Sequence, residues 1–289
     1  MTIEKELLST SEADKLAAEL KVILRNGEKP KNDPDSINKM VAGLGDPRGL
    51  IRRTFAEALG VTGSFATPAL REALIHNKNV TIRRAAAKAL KLVADPSALP
   101  DLLKALITDE DPVVQGSSVG AIAIFGEKAI DLLQVVLLDP KSSAMQKGLA
   151  TWGIAFAGAE APEAIKNASK SKHEAIRAAA IAALGGQIQS LEDEEAKKIL
   201  IQAIDDKSSK VRAEATALIG GLESAKWAES KLKAKLNDKS AQVRKNSALS
   251  LMKLQSKNSL EEIKLRKMLE KDPQVLKVLE LAIKHLKEN

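Results

Sequence analysis

Apolar residues recur at three- and four-residue steps through nearly the whole chain. "PALREAL" from Pro68, "LPDLLKAL" from Leu99, "AIDLLQVVL" from Ala129 and "AKKILIQAI" from Ala196 each place them on one face of a helix. Between these lie runs richer in small residues: "IRRTFAEALG", "VTIRRAAAKALK", "HEAIRAAAIAALGG", "SKVRAEATALIGG" and "AQVRKNSALSL". These too have helical spacing. No segment shows the alternation of a half-buried strand. Asp46-Pro47, Asp111-Pro112 and Asp139-Pro140 read as helix N-caps followed by Pro in the first turn.

The second kind of segment repeats. An aliphatic residue followed by Arg marks it, and the marker position falls at Ile51, Ile82, Val114, Gln146, Ile176, Val211 and Val243. A self-similar period of about 32 residues is the mark of a stacked array of helix pairs. One pair alone cannot cover its apolar faces, so the pairs must stack. The expected fold is all-α, a right-handed α-solenoid of about seven helix pairs. Residues 1–33 form a helical N-terminal cap, and 34–289 form one continuous solenoid closed by "LEEIKLRKMLEKDPQVLKVLELAIKHL".

Composition narrows the chemistry. The chain has no Cys and no Tyr, with two Trp and four Phe. That excludes disulfides, thiolate metal sites and a cysteine nucleophile, and it fits a reducing, cytoplasmic setting. The charged N-terminus does not read as a signal peptide, and no run is long enough to span a membrane. Charge is uneven. Residues 101–163 carry four basic against nine acidic residues, and 225–289 carry sixteen against eight. The lysine-rich end reads as a solvated face or as a dock for an acidic partner, with Lys231, Lys233 and Lys235 as the expected contacts.

Unit length, paired helices and the D-x-x-x-x-[VI]-R rhythm resemble HEAT repeats over roughly residues 34–286. The stretches "IRRAAAKALKLVADPSALPDLLKAL" and "DPSALPDLLKALITDEDPVVQGSSVGAIAIFGEKAI" resemble a narrower subgroup named after phycobilisome lyases. Members of that subgroup handle linear tetrapyrroles: some attach phycobilins to cysteines of phycobiliproteins, others act in breakdown of the antenna. The resemblance implies a phycobilin as ligand or substrate rather than a tightly bound cofactor. It also implies a phycobiliprotein subunit as client and a heterodimer with another HEAT-like chain. If the chain is an enzyme, the resemblance makes it a phycobilin lyase.

The arginine series breaks in the middle. Arg52-Arg53, Arg83-Arg84, Arg177, Arg212 and Arg244 occupy the marker-plus-one place elsewhere, but Gln115-Gly116 and Lys147-Gly148 stand there in the central units. At an offset of 32, Gly120 meets Trp152. Glycine inside a helix costs about 1 kcal/mol against alanine, so the substitutions need a reason. One is packing, with the arginines forming an ion-pair ladder to Asp111, Asp139, Asp206 and Asp238. The other is a recess in the groove, floored by Gln115, Gly116, Gly120 and Gly148, with Trp152 as an apolar plate and Arg83, Arg84, Lys147 and Arg177 at its rims. Such a recess suits a flat apolar ligand bearing carboxylates.

Catalytic motifs are sparse. Gly116-Ser117-Ser118-Val119-Gly120 matches G-x-S-x-G, but inside a helix, where no nucleophile elbow forms. His76, His173 and His285 lie in separate units, and no metal constellation is present. Asp109, Glu110 and Asp111 are available as proton donors, with nothing to single one out. The main alternative is a non-catalytic HEAT adaptor for another protein, for example in cofactor assembly. A nucleic-acid partner fits poorly, because the middle is acidic and aromatic residues are few.

Overall fold

A computed structural model describes residues 7–190, 193–223 and 225–288. Among these residues all regular structure is helical, and no helix is long and apolar enough to cross a membrane. The chain divides into two compact units, 1–153 and 154–289.

The first unit opens with α1 (Thr10–Arg25), started by a reciprocal capping box between Ser9 and Glu12. Helix pairs follow: α2 (Pro34–Gly43) with α3 (Gly49–Thr62), α4 (Thr67–His76) with α5 (Val80–Val93), α6 (Leu99–Thr108) with α7 (Pro112–Ile122), and α8 (Glu127–Leu138) with α9 (Ala144–Gly158). The division between units falls within α9. In the second unit α10 (Pro162–Ala168) pairs with α11 (Glu174–Ser190), and α12 (Glu194–Ala203) with α13 (Ser209–Ile219). Next come α14 (Glu229–Lys235) with α15 (Ala241–Lys253) and α16 (Leu260–Leu269) with α17 (Pro273–Glu288). The array is a HEAT-like stack of helix pairs.

The repeat marker has a simple meaning. Ile51, Ile82, Val114, Gln146, Ile176, Val211 and Val243 are each the third residue of the second helix of a pair. All but the half-buried Ile51 are buried. In α5, Ala85, Ala86, Ala87 and Ala89 lie at or near full burial, so their small side chains let α3 and α7 pack closely on either side.

Two of the three Asp-Pro pairs do not cap helices. Asp111 does, accepting from the amides of Val113 and Val114 with Pro112 at the first position. Asp46 instead accepts from the Arg48 amide, and α3 starts at Gly49. Asp139 accepts from the Lys141 amide, and α9 does not start until Ala144. In the other turns the second helix starts three residues after this position, as from Asp109 to Pro112 and Asp206 to Ser209; from Asp139 it starts five after. That turn is two residues longer.

Candidate functional site

A single hydrogen-bonding scheme ties successive repeats. Arg83 on α5 donates Nη1 to the carbonyls of Asn77 (3.0 Å) and Lys78 (3.2 Å) at the head of its own helix. It also donates Nε and Nη2 to Asp109 in the next turn (2.7 and 3.2 Å). Arg212 does the same with Asp206 O and Asp238, and Arg244 with Asp238 O and Glu270. Arg177 reaches Ser171 O and Asp206, each bond at 2.9 Å. Arg84 adds a second rung, gripping the N-cap Asp111. These are bidentate, charge-assisted pairs, stronger and more directional than neutral hydrogen bonds.

This geometry gives several of the candidate residues partners within the chain. Arg83 and Arg177 are not free rim cations: each guanidinium is already bonded to a carboxylate and to backbone carbonyls. Asp111 is ill-suited to give up a proton. Arg84 holds the Asp111 carboxyl down at about pKa 2, aided by the amides of Val113 and Val114. Glu110 remains on the exposed turn between Asp109 and Asp111. Among the described residues Asp139 pairs with no arginine, unlike Asp111, Asp206 and Asp238, so the ladder expected there does not form.

On α7 both rungs are gone. Gln115 keeps the first half of the scheme, donating Nε2 to Asp109 O at 2.7 Å, six residues back like the arginines. It does not reach a carboxylate, and its Oε1 is buried without a hydrogen-bond partner. Gly116 stands where Arg84 stands on α5. Gln146, one place before Lys147, donates instead to the α6 carbonyls of Leu106 and Ile107.

The exposed side of α7 and of the start of α9 is correspondingly smooth. A Cβ on Gly116 would sit 3.8 Å from Leu149 Cδ2, and one on Gly120 would sit 3.9 Å from Trp152 Cη2. One on Gly148 would meet nothing within 4 Å. None of the three has a positive φ. Close helix packing therefore does not require these glycines. It does require Gly153, on the other side of α9, where a Cβ would press to 2.5 Å from Val119 and 2.6 Å from Leu133. Trp152 lies with half its surface exposed, beside Gly120. Gln115, Gly116, Gly120, Lys147, Gly148 and Trp152 thus share the α7–α9 part of the first unit. Arg83 and Arg84 belong to the neighbouring ladder, and Arg177 lies in the second unit.

The second unit holds a group the sequence did not disclose. Glu214 lies on the exposed side of α13, yet the helices around it desolvate its carboxyl and raise its pKa above the ordinary value. No motif or charge pattern in the sequence marks it. Among the described residues no cluster of three or more His, Asp or Glu side chains could hold a metal. The segment Gly116–Gly120 is helical, not an elbow.

Stacked helix pairs tied by this ladder define a HEAT-repeat protein, and the HEAT-repeat family profile matches residues 67–151. The chain is 43% identical over 218 residues to the bilin biosynthesis protein MpeU of Synechococcus sp. (strain WH8020), covering 75% of this chain and 73% of that protein. It belongs to that protein's family, as the resemblance to phycobilisome-lyase HEAT-like proteins implies. It is also 32% identical over 124 residues to an uncharacterized phycocyanin operon protein Z of Pseudanabaena tenuis (strain PCC 7409), covering 40% of this chain and 61% of that one. A crystal structure of a karyopherin Kap121p mutant matches with a TM-score of 0.58 at 11% identity, over 96% of this chain and 36% of that one. That match shows the fold alone.

Proposed function

We propose that the chain acts in bilin attachment: it binds a linear tetrapyrrole and presents it to a phycobiliprotein subunit. The observation that carries this reading is the 43% identity to a bilin biosynthesis protein across 73% of that protein's length. The α7–α9 surface supports it. A glycine floor beside a half-exposed indole offers a flat contact for pyrrole rings, since a large aromatic gains most from stacked or edge contact. Lys147, with no carboxylate partner among the described residues, supplies a cation for a propionate.

The bond made would be a thioether. The client cysteine's sulfur adds to a carbon–carbon double bond of the bilin, and the thiol proton ends on the adjacent carbon. The nucleophile belongs to the client, so a chain without cysteine suffices. Its work is to hold the bilin in one orientation, where positioning supplies much of the rate. A heterodimer with a second HEAT-like chain fits the same reading.

Co-expression with bilin synthesis and a phycobiliprotein subunit tests it. Covalent bilin on the subunit, seen as a mass increase and as fluorescence of the denatured band, is expected only with the chain present. Equal attachment in its absence would overturn the reading.

A further inference from the structure

The second unit holds a cavity of about 350 Å³, open to solvent, where two helices end. On one side is the chain leaving α13; on the other are the last residue of α15 and the two after it. Leu222 and Leu254, both largely buried, contribute apolar surface. Glu223, Lys226, Lys253 and Gln255 supply the charged and polar part of the lining, and all four are exposed. The frame is packed. Ser250 Oγ on α15 donates to the Thr216 carbonyl of α13 at 2.6 Å, and a Cβ on Gly220 would collide with that hydroxyl. The two helix ends are thus fixed against each other around the cavity.

Both of its lysines are unpaired. Residues 225–289 carry sixteen basic against eight acidic residues. Lys231, Lys233 and Lys235 are paired with acids of the chain itself. Lys226 and Lys253 take part in no ion pair among the described residues, and neither does Glu223. Lys253 closes α15, where the helix end itself attracts a cation. Lys226 lies instead in the short helical turn Ala225–Ala228 before α14, so that attraction accounts for one lysine and not for two at one cavity. Gln255 has φ +52°, the left-handed region that glycine fills at helix ends with least cost. The chain keeps a side-chain amide there instead.

We propose that this cavity takes an aspartate or glutamate side chain of a protein partner, carried on an acidic peptide segment. Two lysines and one glutamate leave one net positive charge, the complement of a single carboxylate rather than of a phosphate dianion. The leucines cover the methylenes of such a side chain. Helix ends present carbonyls that have no partner within the helix. Peptide N–H groups flanking the acidic side chain meet that need, and a free anion does not. The site stands apart from bilin binding, and its test contains no bilin.

The test uses the full chain and the blocked peptide N-acetyl-Gly-Glu-Gly-amide. The Gly-Gln-Gly counterpart, acetate and inorganic phosphate serve as comparators at equal ionic strength. The glutamate peptide should shift the NMR signals of the Gly221 and Gln255 backbone amides, and the effect should fade as added salt screens the lysines. Lys226→Gln combined with Lys253→Gln should weaken binding by about fivefold, the loss of two modest surface ion pairs. Glu223→Gln should tighten it. The proposal is overturned if those amides stay unmoved, if the glutamine peptide binds as well, or if the double variant binds as tightly as the native chain. Binding of acetate or phosphate as tight as that of the glutamate peptide would mark a site for free anions and overturn the assignment to a protein side chain. The substituted residues are all exposed, and the readout on the native chain needs no substitution, so a variant that fails to fold does not leave the question open.

Discussion

Arg244 holds Glu270 through two nitrogens, Nε at 2.7 Å and Nη2 at 2.8 Å, and the carboxylate is 1% exposed. Arg266 and the amides of Lys271 and Asp272 complete its shell. Removing Arg244 strips two charge-assisted hydrogen bonds from a buried carboxylate that keeps only Arg266 and two amides. Arg244→Met should therefore destabilise the second unit by about 1.5–3 kcal/mol, read as a fall in the urea midpoint. An unchanged midpoint would mean that the ladder is ornamental.

The ladder also fixes the response to acid. Arg244 depresses Glu270 and Arg84 depresses Asp111, each to about pKa 2. A carboxyl whose folded pKa is lowered contributes stability above its unfolded value of about 4, and loses it as pH falls toward about 2. Stability should decline across that window in the native chain. In a double variant, Arg84→Met with Arg244→Met, the decline should be shallower, as measured by urea midpoints at a series of pH values.

The glycines separate two roles. Gly116→Ala and Gly120→Ala meet only ordinary contacts at 3.8–3.9 Å, so each should stabilise α7, by about 0.5–1 kcal/mol. Gly153→Ala should destabilise, because its Cβ runs into Val119 and Leu133. Thermal melts of the three variants give the comparison directly.

Binding should follow the same surface. Gly120→Leu and Trp152→Ala should leave the helical circular dichroism intact and weaken bilin binding by about tenfold or more, since an aromatic contact adds about 0.5–1.5 kcal/mol beyond its buried area. Absorbance titration with a free bilin measures it. Folded variants that bind normally would move the ligand elsewhere on the chain.

The C-terminal lysines behave otherwise than their charge alone implies. Lys231 and Lys235 both pair with Asp205, and Lys233 pairs with Glu262 and the Asn258 carbonyl. Reversing the three to Glu should lower the melting temperature of the chain itself, and only secondarily affect a partner. An unaltered melt together with lost partner binding would restore the docking role.

Helix pairs, their period and the register of their second helices were legible because burial repeats at fixed spacing: Ile82, Val114 and Val211 need nothing but position to be recognised. The arginine–acid ladder was legible as composition at a marker. What escaped was set by distance in sequence. Asp139-Pro140 looks like a cap, and only the start of α9 at Ala144 reveals the longer turn. Lys231 and its neighbours looked free because their acids lie 26 to 30 residues away. The elevated Glu214 carboxyl had no local signal at all.

The ladder bears on how such a chain can grow. Each complete arginine takes its carbonyls from the turn before it and its carboxylate from the turn after. A duplicated helix pair inserted between two such turns would arrive with its own donors and acceptors already matched. Lengthening or shortening by whole pairs is thus cheap beside Arg212 and Arg244. At Gln115 the same duplication would copy a rung that reaches no carboxylate, and the longer turn after it would shift the phase of whatever followed. The repeats of Arg212 and Arg244 are open to duplication in a way that the Gln115 repeat is not.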